Sequence, residues 1–362
     1  MTLTKKFQWI VYIALIVMLT SGCGLTDSKK NSIDPPQVET GMLDENDAVV
    51  LNTNPSNKVG TGTEISKTSK TATTQVTLYF KDTKGYVAPL SVTIPSTQQI
   101  AKKSLEYMVD GGPLTGQLPQ GFTALIPKGT LVKDINLKSE QKLAIVNFSN
   151  EFANYNAQDE RKIMEAVTWT LTGFSTIDKV QFWINGKDLK EMPVFNTPLD
   201  NPLSRAMGIN IEIAPGVNAG QSTPVTLYFS NQTNEKFTYY VPITRLVKRT
   251  DDIAKTTLNQ LILGPHQKAG LTSTLAANTE VIGITQTTDS TLITVDFNDK
   301  LLDSNKKASS EALQSVVLSL TENTGVAKVR IMVNGNVKVN TTDNHNYSKP
   351  VSRPSHVNVF KL

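Results

Sequence analysis

The hydrophobic pattern of this chain runs through once and then starts again. Val76, Leu78 and Phe80 alternate with Thr77 and Tyr79, the period of a strand with one buried face. Val225, Leu227 and Phe229 alternate with Thr226 and Tyr228 in the same order. The first copy adds a second extended piece around Val92 to Ile94. Ile100, Ala101, Leu105, Met108 and Val109 then recur on one helical face from about Thr97, with Ser96 and Gln99 spaced as a capping box. Gly111, Gly112 and Pro113 stop that helix. In the second copy the face is Ile253, Ala254, Leu258, Leu261 and Ile262, the expected cap is Thr250, and the stop is Gly264 with Pro265. A hairpin follows in each. It runs Leu131 to Leu137, turns near Ser139 to Gln141 and returns Leu143 to Phe148. Its match runs Val281 to Ile284, turns near Thr288 to Ser290 and returns Leu292 to Phe297. The second helix carries Met164, Val167, Thr168 and Leu171, matched by Leu313, Val316, Val317 and Leu320, at the spacing of one apolar stripe. The last strands alternate, Val180, Phe182 and Ile184 against Val329, Ile331 and Val333. They end at Asn185–Gly186 and Asn334–Gly335, a strong turn signal because both residues tolerate positive φ. Val337 to Val339 is expected to complete a hairpin in the second copy.

This predicts an α+β fold of two tandem β-α-β-β-α-β repeats, each with helices on one face of a small mixed or antiparallel sheet. The expected core is Leu78, Phe80, Phe148 and Phe182 in the first repeat and Leu227, Phe229, Phe297 and Ile331 in the second. The first domain spans 75–192 and the second 224–340. Residues 193–223 read as a linker, with Pro193, Pro198, Pro202, Pro215, Gly216 and Gly220, although Ile209 to Ile213 alternates and is available as an added strand. Residues 341–362 form a weakly patterned tail in which Val357 to Phe360 is a candidate edge strand.

The start of the chain has a different character. Lys5 and Lys6 precede an apolar run of eleven residues, Trp9 to Leu19. That is shorter than the roughly 20 residues a membrane span needs and has the form of a secretory signal peptide. It leads into Ser21, Gly22 and Cys23, which resemble a bacterial lipobox, with Thr20 where that pattern usually has Leu. Residues 1–22 are therefore read as a lipoprotein signal peptide and Cys23 as the lipidated residue. Cys23 is the single Cys of the chain, so no intrachain disulfide forms. Loss of residues 1–22 lowers the formal charge from +4 to +2, because Lys5 and Lys6 go. With no dense Lys/Arg run interleaved with aromatics, nucleic acid is not an expected partner. Residues 24–74 contain no Phe, Tyr or Trp. They read as a flexible polar tether, whose roughly 50 residues of coil would reach about 40 Å.

Duplication also bears on chemistry, since a site shared by both copies should appear as matched polar residues. Lys102 matches Lys255, Glu140 matches Asp289 and Lys179 matches Lys328, on a helix side, a hairpin tip and a strand start. These are ordinary solvated positions. Tyr79 and Tyr228 also match and are expected to pack. Asp159–Glu160 and Asp251–Asp252 lie near helix N-termini, where the macrodipole favours negative charge. His266, His345 and His356 have no metal-ligand spacing, and no nucleophile elbow or P-loop occurs. No catalytic, cofactor or metal residues are assigned.

The lipobox, the polar tether and the doubled series of strand, Gly-Pro stop, Val-x-Phe strand and Asn-Gly end resemble the GerM family of sporulation and germination lipoproteins of endospore-forming bacteria. Each repeat resembles a GerMN domain, itself similar to the ring-building motif of secretion and sporulation channels. The resemblance implies a non-enzymatic assembly protein without cofactors. It implies lipid attachment at Cys23, a place on the membrane facing the space between mother cell and forespore, and protein components of the channel joining the two as partners. Self-association into a ring is a further expectation. The alternative is a solute-binding lipoprotein of a transporter, which also has two lobes behind a lipobox. A wall hydrolase is disfavoured for want of paired acids or a nucleophile.

Overall fold

The computed structural model describes residues 72–266, 270–343 and 346–361. Residues 1–22, read as a signal peptide, Cys23, the expected tether up to residue 71 and His345 lie outside the described residues; Thr73 and Thr74, placed in the tether, belong to the first strand. The first repeat opens with β1 (Thr73–Lys81) and β2 (Val87–Pro95), antiparallel and in register from Thr73 opposite Pro95 to Lys81 opposite Val87. The second extended piece is thus a full strand. Then come α1 (Ile100–Tyr107), β3 (Val132–Lys138), β4 (Leu143–Phe148), α2 (Glu160–Leu171), β5 (Lys179–Ile184) and β6 (Lys187–Asp188). Strands β3 to β6 form one sheet in sequence order. β3 and β4 are antiparallel and β4 and β5 parallel, which is why a helix must cross between them. Asn185 (φ 49°) and Gly186 (φ 77°) make the tight turn into β6.

After the short strand β7 (Glu212–Ile213), the second repeat follows the same plan. It runs β8 (Ser222–Gln232), β9 (Thr238–Lys248), α3 (Ile253–Leu263), β10 (Val281–Gln286), β11 (Leu292–Phe297), α4 (Ser310–Thr324), β12 (Lys328–Val333) and β13 (Val351–Ser352). One sheet has the order β7-β9-β8, with β7 parallel to β9, and the other β10-β11-β12-β13. All eight expected core residues are buried, from 0% exposure at Leu78, Phe80, Phe148, Leu227, Phe229 and Phe297 to 1% at Phe182 and Ile331. They belong to one apolar cluster that runs through both repeats.

Several local expectations are corrected. The Ser96–Gln99 capping box does not form; α1 starts at Ile100 with no side-chain cap, and Thr97 Oγ1 accepts from Gln99 N–H instead. Thr250 does not cap α3. Asp252 does, accepting from Lys255 N–H at 3.0 Å, and Thr250 Oγ1 accepts from Asp252 N–H. Val337 to Val339 is not a strand; the partner of β12 is β13, from the tail. Leu131, placed at the start of a strand, is 65% exposed and precedes it. The segment 193–223 is packed, with Ile209 at 0% exposure and β7 added to β9.

The second helices depart most from their pattern. A single apolar stripe predicts one buried face, yet Ile163 to Leu171 in α2 and Ser315 to Thr321 in α4 are buried without a break. Each helix touches the third strand of its four-stranded sheet (β5 or β12) and also the first strand of its opening hairpin (β1 or β8). The polar face is therefore dry and must find partners. Thr170 Oγ1 accepts from Tyr79 N–H at 3.2 Å, and in the same place Ser319 Oγ accepts from Tyr228 N–H at 3.0 Å. Helix hydroxyls thus close the outer edges of β1 and β8.

Candidate functional site at the seam between the repeats

Two nine-residue segments outside the expected domain boundaries are copies of each other. Leu203-Ser204-Arg205 continues to Ile209-Asn210-Ile211, and Val351-Ser352-Arg353 continues to Val357-Asn358-Val359. Each is pinned at its start by the third strand of its own four-stranded sheet, Leu203 against Val180 of β5 and Val351 against Val329 of β12. Each arginine then turns onto the C-terminal end of its own second helix. Arg205 donates to Thr172 Oγ1 (3.1 Å) and towards Trp169 O (3.5 Å); Arg353 donates to Thr321 Oγ1 (3.2 Å) and Leu318 O (2.9 Å). Trp169 is among the last four residues of α2, whose carbonyls lack intrahelical donors, and a cation near a helix C-terminus meets the negative end of the dipole; Leu318 lies further inside α4, where Arg353 is an added donor.

The asparagines at the far ends of these segments join the halves. Asn210 Nδ2 donates to Val87 O of the first repeat and Pro242 O of the second, both at 2.8 Å, and Oδ1 accepts from Val87 N–H. Asn358 does the converse. Its Nδ2 donates to Pro89 O (2.7 Å) and Tyr240 O (2.8 Å), and its Oδ1 accepts from Tyr240 N–H. The contacts interchange under a two-fold axis between the repeats. Pro89 and Pro242 occupy the same place in their hairpins, opposite Tyr79 and Tyr228, and neither has an N–H to offer across the seam. The carboxamides supply those donors. Both asparagines are left-handed (φ 47° and 56°), a conformation Asn tolerates better than other residues with a Cβ.

At the centre the symmetry breaks. Glu322, in α4, accepts from Arg205 Nη1 at 2.8 and 2.9 Å and from Tyr228 Oη at 3.0 Å, and forms an ion pair with Arg353 Nη2 at 2.8 Å, which itself donates to Tyr228 Oη at 2.6 Å. Its counterpart in the first repeat is Gly173, so one carboxylate serves two guanidiniums. Burial pushes its pKa up, but Arg205 and Arg353 outweigh burial and hold it below the ordinary glutamate value. Arg205 lies over the Trp169 ring at 4.4 Å and Arg353 over Tyr228 at 5.2 Å, and Tyr79 meets Trp169 edge-on. Burial raises the pKa of Tyr79 and of Tyr228, so both stay neutral phenols.

Other buried charges also act as fasteners. Asp82 accepts from Tyr239 Oη (2.8 Å) and Asn231 Nδ2 (3.1 Å), two further bonds across the seam. Arg245, 0% exposed, donates twice to Glu212 Oε2 and also to Gln260 and Gly264 carbonyls, tying β7 into the second repeat. Glu160 does more than favour a helix dipole. It accepts from Val194, Phe195 and Thr197 N–H and from Tyr155 Oη, clamping that loop. Burial alone would raise its pKa, but these bonds, led by the one from the Thr197 hydroxyl, lower it.

The residues singled out in the sequence are dispersed. Lys255, Glu140, Asp289, Lys179 and Lys328 are exposed, and Lys102 is half-buried on α1. Asp159 pairs with Lys81 and Lys162, and Asp251 is exposed. His266 and His356 are half-buried at separate places, and burial lowers the pKa of each. Among the described residues no group of three His, Cys, Asp or Glu could hold a metal ion. Among the described residues a shallow groove of about 400 Å³ lies beside β9 and α3, and another of about 660 Å³ is lined by Lys81–Thr83, Gly85, Asn156–Asp159 and Lys162 of the first repeat. Hydrophobic periodicity carries no sign of the seam residues; their signal in the sequence is the nine-residue match beyond the Asn-Gly turns.

Fold and seam define a class: a duplicated α+β protein whose matched polar residues hold its halves together. The chain belongs to the Germane family, described as sporulation and spore germination, whose model matches residues 77–190 and 226–339. Both matches stop short of the two nine-residue segments, here called clasp segments. The chain is 42% identical over 354 residues, 94% of each sequence, to the spore germination protein GerM of Bacillus subtilis (strain 168). It also matches the solved tandem GerMN domains of the sporulation protein GerM from Bacillus subtilis, with TM-score 0.73 and 40% identity, over 80% of this chain and 99% of that one. It is thus a tandem GerMN protein of the sporulation and germination class.

Proposed function

We propose that this chain is a non-enzymatic assembly lipoprotein, tethered through Cys23 to the outer face of a membrane, that helps build or stabilise the channel complex between mother cell and forespore. One observation carries the reading. The polar residues matched between the copies gather at the seam: Asn210 and Asn358 each bond both repeats, and Arg205 reaches across to Glu322, with which Arg353 also pairs. Duplication here serves construction of a rigid double module, as suits a part that other proteins assemble upon. The lipid and a polar tether of some 50 residues would let the module work about 40 Å from its anchor.

The test has two arms in sporulating cells. Cys23→Ala should move the protein from the membrane fraction to the soluble one. Membrane extracts passed over the immobilised 72–362 module should yield channel components, identified by mass spectrometry. If no channel component is retained above a control surface, the assembly reading fails; if Cys23→Ala stays with the membrane, the lipid anchor fails.

A further inference from the structure

The edge strands β3 and β10 occupy the same place in the two sheets and differ in surface. Both bulge at their second residue, where the register slips between Val132 and Asp134 and between Val281 and Gly283. In β3 the bulge residue is Lys133, followed by Asp134, with Lys138 at the far end. Lys133 Nζ donates to Asn185 Oδ1, Asp134 accepts from Asn147 Nδ2 at 2.9 Å, and Lys102 Nζ reaches the Lys133 carbonyl at 3.2 Å. Charges along an edge, and a donor on its open carbonyl, discourage the addition of another strand.

β10 has Ile282 and Gly283 at those positions. Val281 to Gln286 contains no charged residue and no proline. Ile282 is 57% exposed, and a Cβ at Gly283 would meet nothing within 4 Å. Beside the strand packs α3, which ends in Leu263 at 64% exposure. Among the described residues no strand pairs with the outer side of β10.

We infer that the outer edge of β10 is an interaction surface, and that its occupant is β10 of a second copy of this chain, paired antiparallel about a two-fold axis. An uncharged strand complements itself in that arrangement. With the axis between Gly283 and Ile284, Val281 faces Gln286 and Glu280 faces Thr287, so no like charges meet. The seam cannot serve for growth, because its two-fold contacts are already closed within one chain. Pairing at β10 joins two four-stranded sheets into one of eight and leaves the charged β3 edges outward. The inference rests on the assembly reading only in giving such a dimer a purpose.

The test is sedimentation velocity of residues 72–362, which hold the whole packed core, over a concentration series. The comparison is Ile282→Lys with Gly283→Asp, which restores what β3 carries in the same fold. Wild type should rise from monomer to twice that mass, while the double variant stays monomeric with the same melting temperature. A wild type that remains monomeric, or a variant that still dimerises, overturns the inference. Should the double variant melt early, Ile282→Lys alone, at an exposed side chain, gives the same reading. A monomeric wild type that still retains channel components removes the edge pairing and leaves the assembly reading standing; a dimer that retains none does the reverse.

Discussion

Removing the carboxylate at the centre of the seam tests the reading of these contacts most directly. Glu322→Gln keeps the shape of the side chain and deletes its charge, leaving Arg205 and Arg353 as neighbouring cations with one carboxamide oxygen between them. Glu322 is 10% exposed and each arginine 29%. Breaking a buried ion pair from one side costs about 3–5 kcal/mol. Partial solvation of the arginines and the oxygen retained by Gln bring the expected loss to about 2 kcal/mol, and Glu322→Ala to about 3 kcal/mol. Urea unfolding followed by circular dichroism reads either change, against a total of about 5–15 kcal/mol for a domain. The pH dependence supplies a second signature. The folded carboxyl has a pKa below the ordinary 4.5, so its stabilisation is present above pH 4.5 and is lost as pH falls through the folded value. The gap between wild type and Glu322→Gln should therefore narrow below pH 4.5. A loss under about 0.5 kcal/mol, in the range of an ordinary surface change, or a gap that stays constant into acid, would refute the claim that this carboxylate holds the seam.

The clips should behave as a matched pair. Asn210→Ala and Asn358→Ala each lose three hydrogen bonds and strain a left-handed backbone. Each is expected to cost about 2–4 kcal/mol in chemical denaturation, and Asn→Gly about 1 kcal/mol less; one site near zero beside the other would contradict the two-fold equivalence. Phe148→Ala, which removes a fully buried ring stacked on Phe152 at 4.1 Å, should cost about 3–5 kcal/mol, and a measured cost near zero would mean the ring is not packed as described. Arg245→Met leaves Glu212 buried without its cation, and a loss of about 3 kcal/mol or more is expected by thermal or urea melting.

Legibility followed physical range. The alternation of Val76, Leu78 and Phe80 declares a strand because side-chain direction in a strand is set residue by residue, and the same holds for Val225 to Phe229. Apolar stripes placed all four long helices for the same reason. The caps escape the pattern because Thr250 and Asp252 both offer an acceptor within two residues, and at Ser96 to Gln99 the backbone path leaves the helix with no side-chain cap. The buried polar face of α2 could not be foreseen. Thr170 is polar in any pattern, and the N–H that makes it a core residue belongs to Tyr79, 91 positions away.

By itself the sequence determined the duplication, the order of the long strands and helices, the apolar core and the class of protein. It also contained the two clasp segments as a second match, although nothing local said what they grip. Tertiary structure alone decided that Arg205 and Arg353 converge on one Glu322, that Gly173 leaves its counterpart empty, and that Asn358 reaches Pro89 across 269 positions. Periodicity is a property of neighbouring residues, so the chain states it outright. A hydrogen bond across a seam depends on where two distant backbones end up, and only the packed core that brings the repeats together settles that.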